Sequence, residues 1–359
     1  MKIIITGGHI TPALALIPLL KKKHQVLFVI RKNAYEGNTG LSFEYKTIQA
    51  LGVPYKIINT GRLQRRLSMR TIPSLVKIPI GVFQSVFILS SFRPDVVLSF
   101  GGYVAFPVCF VAWLFGIPIV THEQTIKTGL ANKIIAFFAK KVCVSFPQAM
   151  SSFPKEKVVH TGNPLRKEIL TPAKSPVWFS AKEDFPVIYI TGGSGGSHTI
   201  NMFVDEIREN LLMKYIVIHQ AGLSYDFEEA EKQKKQLPLN LQKRYFARDH
   251  ITGSELAWIY RNAAFLVGRS GANTVYEILA LRVPSLLLPF NEEQMENAKL
   301  VEEEGLATIR IDDELTGKTF LTAIEDMIVS KKKSTKQSDL VKTDAAQNLL
   351  KVLEETAKR

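Results

Sequence analysis

The same opening is written twice in this chain, and that repetition restricts the fold more than any other feature. Residues 2–17 begin KIIITGGH and run on into TPALALI, and residues 186–203 read PVIYITGGSGGSHTINMF. Each is an apolar β-rich run, then a glycine turn, then a helix-compatible segment. That order fits the first βα unit of a doubly wound α/β fold, whose glycines let backbone N–H groups approach a phosphate at a helix N-terminus. One such turn alone also serves tight packing. One in each half predicts two Rossmann-like domains, each with a parallel sheet, facing each other across a cleft. The 359 residues agree with two domains at roughly 150 residues each.

Alternation along the chain supports this reading. Strands are expected at QVLFVI, YKIINT, DVVLSF, IPIVTHE and KVCVSF in the first half, and at IVIHQAG, AAFLVGRS and VPSLLLPF in the second. GANTVYEILALR and MENAKLVEEEG read as helices. The proline- and charge-rich stretch 161–186 is the natural linker, and KKKSTKQSD (331–339) is a second polar break. The expected domains are therefore 1–163 and 164–339. A final amphipathic helix within 340–359 could pack back on either domain, the first included.

Charge is divided unevenly. Residues 1–165 hold 20 Lys/Arg and 5 Asp/Glu, whereas the remainder holds 26 and 28. The basic first half points to a polyanionic partner, either an anionic membrane surface or nucleic acid. It lacks an aromatic stacking motif and a helix-turn-helix, which argues against nucleic acid. Two cysteines, Cys109 and Cys143, lie in apolar surroundings and are too few for a disulfide framework or metal cluster. The first residues lack the h-region and cleavage site of a secretory signal. From Val96 to His122 there is no charged residue, a length that could span a bilayer. Gly101-Gly102, Pro107 and Gly116-Ile117-Pro118 punctuate it, and predict a buried strand, helix and strand instead.

The second half carries the sharper chemical pattern. GRSGANTVYEILA (268–280) places Ser270-Gly271 at a strand-to-helix turn, with Glu277 further into the helix. PFNEEQMENA (289–298) follows, with Gln294 and Asn297 three apart on one helical face. Helix N-termini suit a diphosphate, and a nearby carboxylate can accept both hydroxyls of a ribose. Taken singly, Glu277 also fits a solvated helix position and Gln294 a surface amide. No Asp-x-Asp metal signature occurs, and Asp312-Asp313 reads as a surface pair.

TGGHITPALAL, SFGGYVAFP, GIPIVTHEQ, TGLANK, TGNPLR, ITGGSGGSHTIN, GRSGANTVYEI and PFNEEQMENA occur in an order and spacing that resemble the MurG-type transferases. These are the UDP-N-acetylglucosamine:undecaprenyl-pyrophosphoryl-MurNAc-pentapeptide N-acetylglucosaminyltransferases of peptidoglycan synthesis. The resemblance runs from residue 4 to about residue 306, and it implies the GT-B glycosyltransferase fold, no cofactor and inverting transfer. It further implies a donor site in the second half. There Arg166 lies near the diphosphate, and Ser194 and Gly195 bind phosphate. Ala272, Asn273 and Thr274 open the following helix, Glu277 holds the ribose, Gln294 and Asn297 hold the GlcNAc, and Ile251 lies against uracil. The implied acceptor site comprises Thr6, Gly7, Gly8, His9, Gly102, Tyr103, His122, Gln124, Thr125 and Asn132. An inverting transfer needs a base for the attacking 4-hydroxyl, and His9 and Glu123 are the candidates. His9 could equally bond the acceptor pyrophosphate, and His122 could be a structural histidine. No metal is needed if helix dipoles and Arg166 stabilise the leaving UDP.

The segment 61–93 joins Arg62, Arg65, Arg66, Arg70 and Lys77 to an apolar series that includes Ile78, Ile80, Phe83 and Phe87. Each basic residue near an anionic leaflet contributes about 1 kcal/mol, which suits a peripheral enzyme on the inner face of the cell membrane. The chain departs from the family on the acceptor side. TGGH stands for a longer glycine loop, Thr125 closes HEQT, TGLANK begins with Thr128, and GGYVAFP replaces the usual GGYVSGP. These changes leave three alternatives: another lipid-linked acceptor, a UDP-GlcNAc 2-epimerase-like enzyme of the same fold, or a sugar-nucleotide or membrane-binding protein without turnover.

Overall fold

The computed structural model describes residues 1–8, 10–33, 41–61, 71–182, 184–193, 195–222, 225–330 and 339–358, except for the side chains of 43, 71–75, 225 and 328–330. The chain forms two compact units, Met1–Leu165 with Lys342–Arg359, and Arg166–Val341.

The first unit contains β1 (Lys2–Thr6), β2 (Gln25–Ile30), β3 (Tyr55–Ile57), β4 (Val96–Ser99), β5 (Ile119–Glu123), β6 (Lys141–Val144) and β7 (Val158–His160). They form one parallel sheet in the order β3-β2-β1-β4-β5-β6-β7. Both faces are covered, so the strands are near-continuous apolar runs. Alternate residues feed different layers. Ile4 packs with helices Thr71–Phe92, Ala105–Leu114 and Leu130–Phe138, while Ile3 and Ile5 pack with helices Thr11–Leu20 and Ala345–Ala357. The C-terminal helix thus belongs to the first unit, with Leu349 and Leu353 in its core. Burying each of these leucines contributes about 1.5–3 kcal/mol.

The second unit contains β8 (Val187–Thr191), β9 (Ile216–Gln220), β10 (Tyr245–Arg248), β11 (Phe265–Gly268), β12 (Ser285–Leu287) and β13 (Ala307–Ile309). Its parallel order is β10-β9-β8-β11-β12-β13. In each sheet the direction of winding reverses beside the first strand, between β1 and β4 and between β8 and β11. Ligands of such sheets bind outside the carboxyl ends of the strands at that reversal. Both glycine turns lie there.

Residues 96–122 fold as β4, helix Ala105–Leu114 and β5. Among the described residues, no helix is long and apolar enough to cross a membrane. The proline-rich stretch before β8 is less of a tether than its composition implies. Trp178 and Phe179 pack with Phe246 and Trp258 of the second unit, and the Trp178 indole donates to Glu255 at 2.7 Å. Aromatic burial outweighs the local polarity of that segment.

Candidate functional site

In the second unit the turn after β8 is held from beneath. The Thr191 hydroxyl accepts from Gly193 N–H (3.0 Å), Gln220 donates to the Gly193 carbonyl (3.0 Å), and Tyr189 donates to Gln220 (2.8 Å). Its glycines differ in purpose. A Cβ on Gly192 would lie 2.1 Å from the Ser197 nitrogen, and one on Gly196 would lie 2.2 Å from the Ala221 carbonyl oxygen. Cβ atoms on Gly193 and Gly195 would meet nothing within 4 Å, which leaves the turn's outer side open to a ligand. Ser197 caps helix His198–Lys214 by accepting from Ile200 N–H. The neighbouring helix Ala272–Leu281 starts at Gly271, which offers no side-chain cap, and its first turn with Ala272, Asn273 and Thr274 is half-buried. Two helix N-termini therefore stand at one switch point.

Glu277 lies inside helix Ala272–Leu281 and is buried, not solvated. Its Oε2 accepts from the Tyr260 hydroxyl at 2.9 Å, and its Oε1 is 3.8 Å from an Arg166 guanidinium nitrogen. Burial raises the Glu277 carboxyl above its ordinary pKa, against the opposing pull of Arg166 and of the Tyr260 hydrogen bond. Tyr260 sits on helix Gly253–Asn262, seventeen residues away in sequence, and no local spacing announces it. Ile251 is buried between β10 and that helix, whose start is fixed by a Thr252–Glu255 capping box. Gln294 is half-buried in the first turn of helix Glu292–Glu303. Asn297 is fully buried and donates to the Ser270 carbonyl at 3.1 Å, while the Ser270 hydroxyl donates to the Gln294 carbonyl at 2.7 Å. In this arrangement Asn297 acts on the Ser270 turn. Ser194 lies outside the described residues.

The first unit solves its switch point differently. Gly8 N–H donates to the Gly101 carbonyl at 3.0 Å, so the turns after β1 and β4 join. A Cβ on Gly7 would lie 2.8 Å from that of Phe100, and one on Gly101 would lie 2.7 Å from the Asn132 amide. Below them is a closed polar network. The Glu123 carboxylate accepts from Thr125 N–H (3.1 Å), the Thr125 hydroxyl (2.9 Å), Gly129 N–H (3.0 Å) and Asn132 (3.0 Å). Asn132 also donates to the His122 carbonyl and accepts from Thr121. His122 is buried against the Gly162 carbonyl at 3.0 Å, and burial pushes its pKa down to about 4. Thr6 and Gln124 are buried as well. Tyr103 is half-buried, and its hydroxyl accepts from Arg31 at 3.1 Å. Gly102 stays half-exposed. His9 lies outside the described residues.

Asp312 is not the surface residue that its sequence setting implies. Both its oxygens accept from Arg269 at 2.7–2.8 Å, because the turn after β13 brings it against the end of β11. Among the described residues, no three His, Cys, Asp or Glu side chains gather as metal ligands.

Helix Thr71–Phe92 turns Val82, Val86, Ile88 and Leu89 inward and leaves Val76, Ile80, Phe83 and Phe87 exposed. The exposed set follows one helical stripe. Lys77 and Ile78 flank it and are half-buried; Arg62, Arg65, Arg66 and Arg70 lie outside the described residues. Trp113, Leu114 and Phe137, on the neighbouring helices, and Phe115 just past the first of them are also exposed, with the Trp113 ring centroid 5.2 Å from that of Phe138 at a tilt of 43°. Their inclusion in apolar helices concealed them in the sequence.

Residues 3–144 match the glycosyltransferase family 28 N-terminal domain, and residues 187–353 match the C-terminal domain of the same family. The chain belongs to glycosyltransferase family 28. The Clostridium botulinum (strain Langeland) protein named UDP-N-acetylglucosamine--N-acetylmuramyl-(pentapeptide) pyrophosphoryl-undecaprenol N-acetylglucosamine transferase is 34% identical over 333 residues, 89% of each chain. A Bacillus cereus relative with the same name, numbered 2, is 33% identical over 91% of each chain. The crystal structure of Acinetobacter baumannii MurG superposes with a TM-score of 0.67 at 24% identity, covering 99% of both chains. UDP-GlcNAc 2-epimerase from Neisseria meningitidis, bound to UDP-GlcNAc, superposes at 0.66 with 14% identity, covering 99% of this chain and all of that one. The two parallel-sheet units are those of the GT-B fold, and the chain is a glycosyltransferase.

Proposed function

We propose that this enzyme transfers GlcNAc from UDP-GlcNAc to the 4-hydroxyl of MurNAc in undecaprenyl-pyrophosphoryl-MurNAc-pentapeptide, with inversion, at the cytoplasmic face of the membrane. The observation that carries the proposal is the second unit's switch point, where two helix N-termini, Arg166 and a buried Glu277 stand together. The relatives' names supply the substrates.

In this reading Arg166 and the helix N-termini take the charge of the leaving diphosphate, a stabilisation that needs no metal. Glu277, set by Tyr260, accepts the ribose hydroxyls, and Gln294 addresses the sugar. Ser194 and Gly195 line the phosphate turn, and the backbone at Ile251 meets uracil. The acceptor 4-oxygen attacks C1 of GlcNAc as the bond from C1 to the UDP oxygen breaks, and UDP leaves with the electron pair. His9 takes the proton from the attacking hydroxyl. Glu123 already accepts four internal hydrogen bonds, which supports a role in holding the acceptor loop rather than as the base. The exposed stripe on helix Thr71–Phe92, with Trp113 and Phe137, supports a peripheral membrane surface. The test is the product. Mass spectrometry of the lipid fraction should show one added N-acetylhexosamine, and NMR should show the β-anomer.

The shortened TGGH turn favours one second reading, a different lipid-linked acceptor. Transfer to another polyprenyl-linked sugar, with none to the MurNAc-pentapeptide lipid, would select it.

A further inference from the structure

Arg269 is buried at the end of β11 and spends its whole donor set inside the second unit. Nη1 donates to Asp312 (2.8 Å) and to the Leu288 carbonyl (2.8 Å), Nη2 donates to Asp312 (2.7 Å) and to the Ser197 hydroxyl (2.8 Å), and Nε donates to Ser197 (3.2 Å). A guanidinium has five N–H bonds, and five contacts account for them. None remains for a phosphate. One end of this arrangement is Ser197, the cap of helix His198–Lys214. The next residue, Ser270, opens into helix Ala272–Leu281 and is fastened to helix Glu292–Glu303 through Gln294 and Asn297. Residues 269–270 therefore tie the start of helix His198–Lys214 and the start of helix Ala272–Leu281 to the first half of helix Glu292–Glu303.

We propose that the Arg269–Asp312 pair is a positioning device for the donor diphosphate, holding the helix N-termini at Ser197 and Gly271 at the separation at which both address one ligand. It rests on reading the second unit as the donor site. Asp312 fixes the plane of the guanidinium through a two-bond fork, a geometry that lysine cannot reproduce. The pair acts through the helix starts and touches no substrate.

The experiment compares UDP with uridine, which lacks the diphosphate, by competition binding to the wild-type chain, Arg269→Lys and Asp312→Asn. Affinity for UDP should fall about tenfold in Arg269→Lys and about threefold in Asp312→Asn, with uridine affinity unchanged within about twofold. Tighter UDP binding by Asp312→Asn would make Arg269 a direct phosphate ligand once released and would overturn the proposal. So would unchanged UDP affinity in both variants, or equal losses for UDP and uridine. If Arg269→Lys fails to fold, Asp312→Asn, which keeps an acceptor for Arg269, decides. Failure of both to fold would make the pair purely structural. A wild-type chain that binds neither ligand refutes the donor site itself, before any variant is compared.

Discussion

The two switch points begin from nearly the same sequence and end as different devices. After β1 the short turn closes on its neighbour, with Gly8 bonded to Gly101, and the polar side chains form a buried network beneath it. After β8 the turn is longer, and two of its glycines, Gly193 and Gly195, face open space. The second turn is braced by side chains that do not reach outward: Tyr189 through Gln220, and Arg269 through Ser197. A phosphate site built from backbone N–H groups needs stiff support and empty space. A site for an attacking hydroxyl needs a titratable side chain, a role that the proposed mechanism gives to His9.

That contrast can be broken most sharply at His9 and Arg166. His9→Ala should lower kcat about 10³-fold with donor affinity kept, if the proposed base is all that it removes. Arg166→Ala should cost about 10²-fold in kcat/KM and weaken UDP binding. Equal effects on UDP affinity would erase the proposed division of labour. Steady-state kinetics with a UDP-binding assay separates these outcomes.

Acid should weaken both units. Burial lowers the pKa of His122 to about 4 in the first unit and that of His219 to about 3 in the second, where the Arg208 charge adds to the effect. Their unfolded values lie near 6.5, so the unfolded chain takes up protons first as pH falls. The stabilisation is complete above about pH 6.5 and is lost towards the folded values. The His122 contribution alone amounts to about 3 kcal/mol. Urea unfolding at pH 7, 5.5 and 4.5 should show the loss, and a flat profile would contradict the neutral buried imidazoles.

Next in size is the contrast between glycines in the same turn. Gly196→Ala forces a Cβ against the Ala221 carbonyl at a positive φ, and should lower stability by about 1–3 kcal/mol in thermal melts. Gly195→Ala should leave the melting temperature nearly unchanged while weakening UDP binding. The reverse pattern would show that the open side of the turn is not where the phosphate lies. The smallest effect concerns the membrane surface. Phe83→Ser with Phe87→Ser should reduce binding to anionic vesicles about tenfold, and added salt should remove the remainder by screening the basic residues. Unchanged sedimentation with vesicles would remove this stripe from the interface.

Much of the fold was legible because its causes are local. Apolar runs ended by glycine mark β1 and β8, and Gly101-Gly102 and Gly116 divide 96–122 into strand, helix and strand. The layer taken by the C-terminal helix was not legible, since its amphipathic face fits any apolar surface. The frame of the candidate site was legible where a helix start follows a strand, as at Ser270-Gly271. It was hidden where remote segments supply the partner. Asp312 meets Arg269 across 43 positions, and Tyr260 meets Glu277 across 17 with no helical or strand period. Three of the four hydrogen bonds on Glu123 depend on the path of the loop from Thr125 to Gly129, which residue types alone do not set.

The most direct test of acceptor-dependent transfer is UDP release from UDP-GlcNAc by the purified chain in EDTA, with and without the lipid-linked MurNAc-pentapeptide acceptor. Release should appear only when the acceptor is present. Release without any acceptor, or none with it while UDP-GlcNAc still binds, would contradict the proposed transfer.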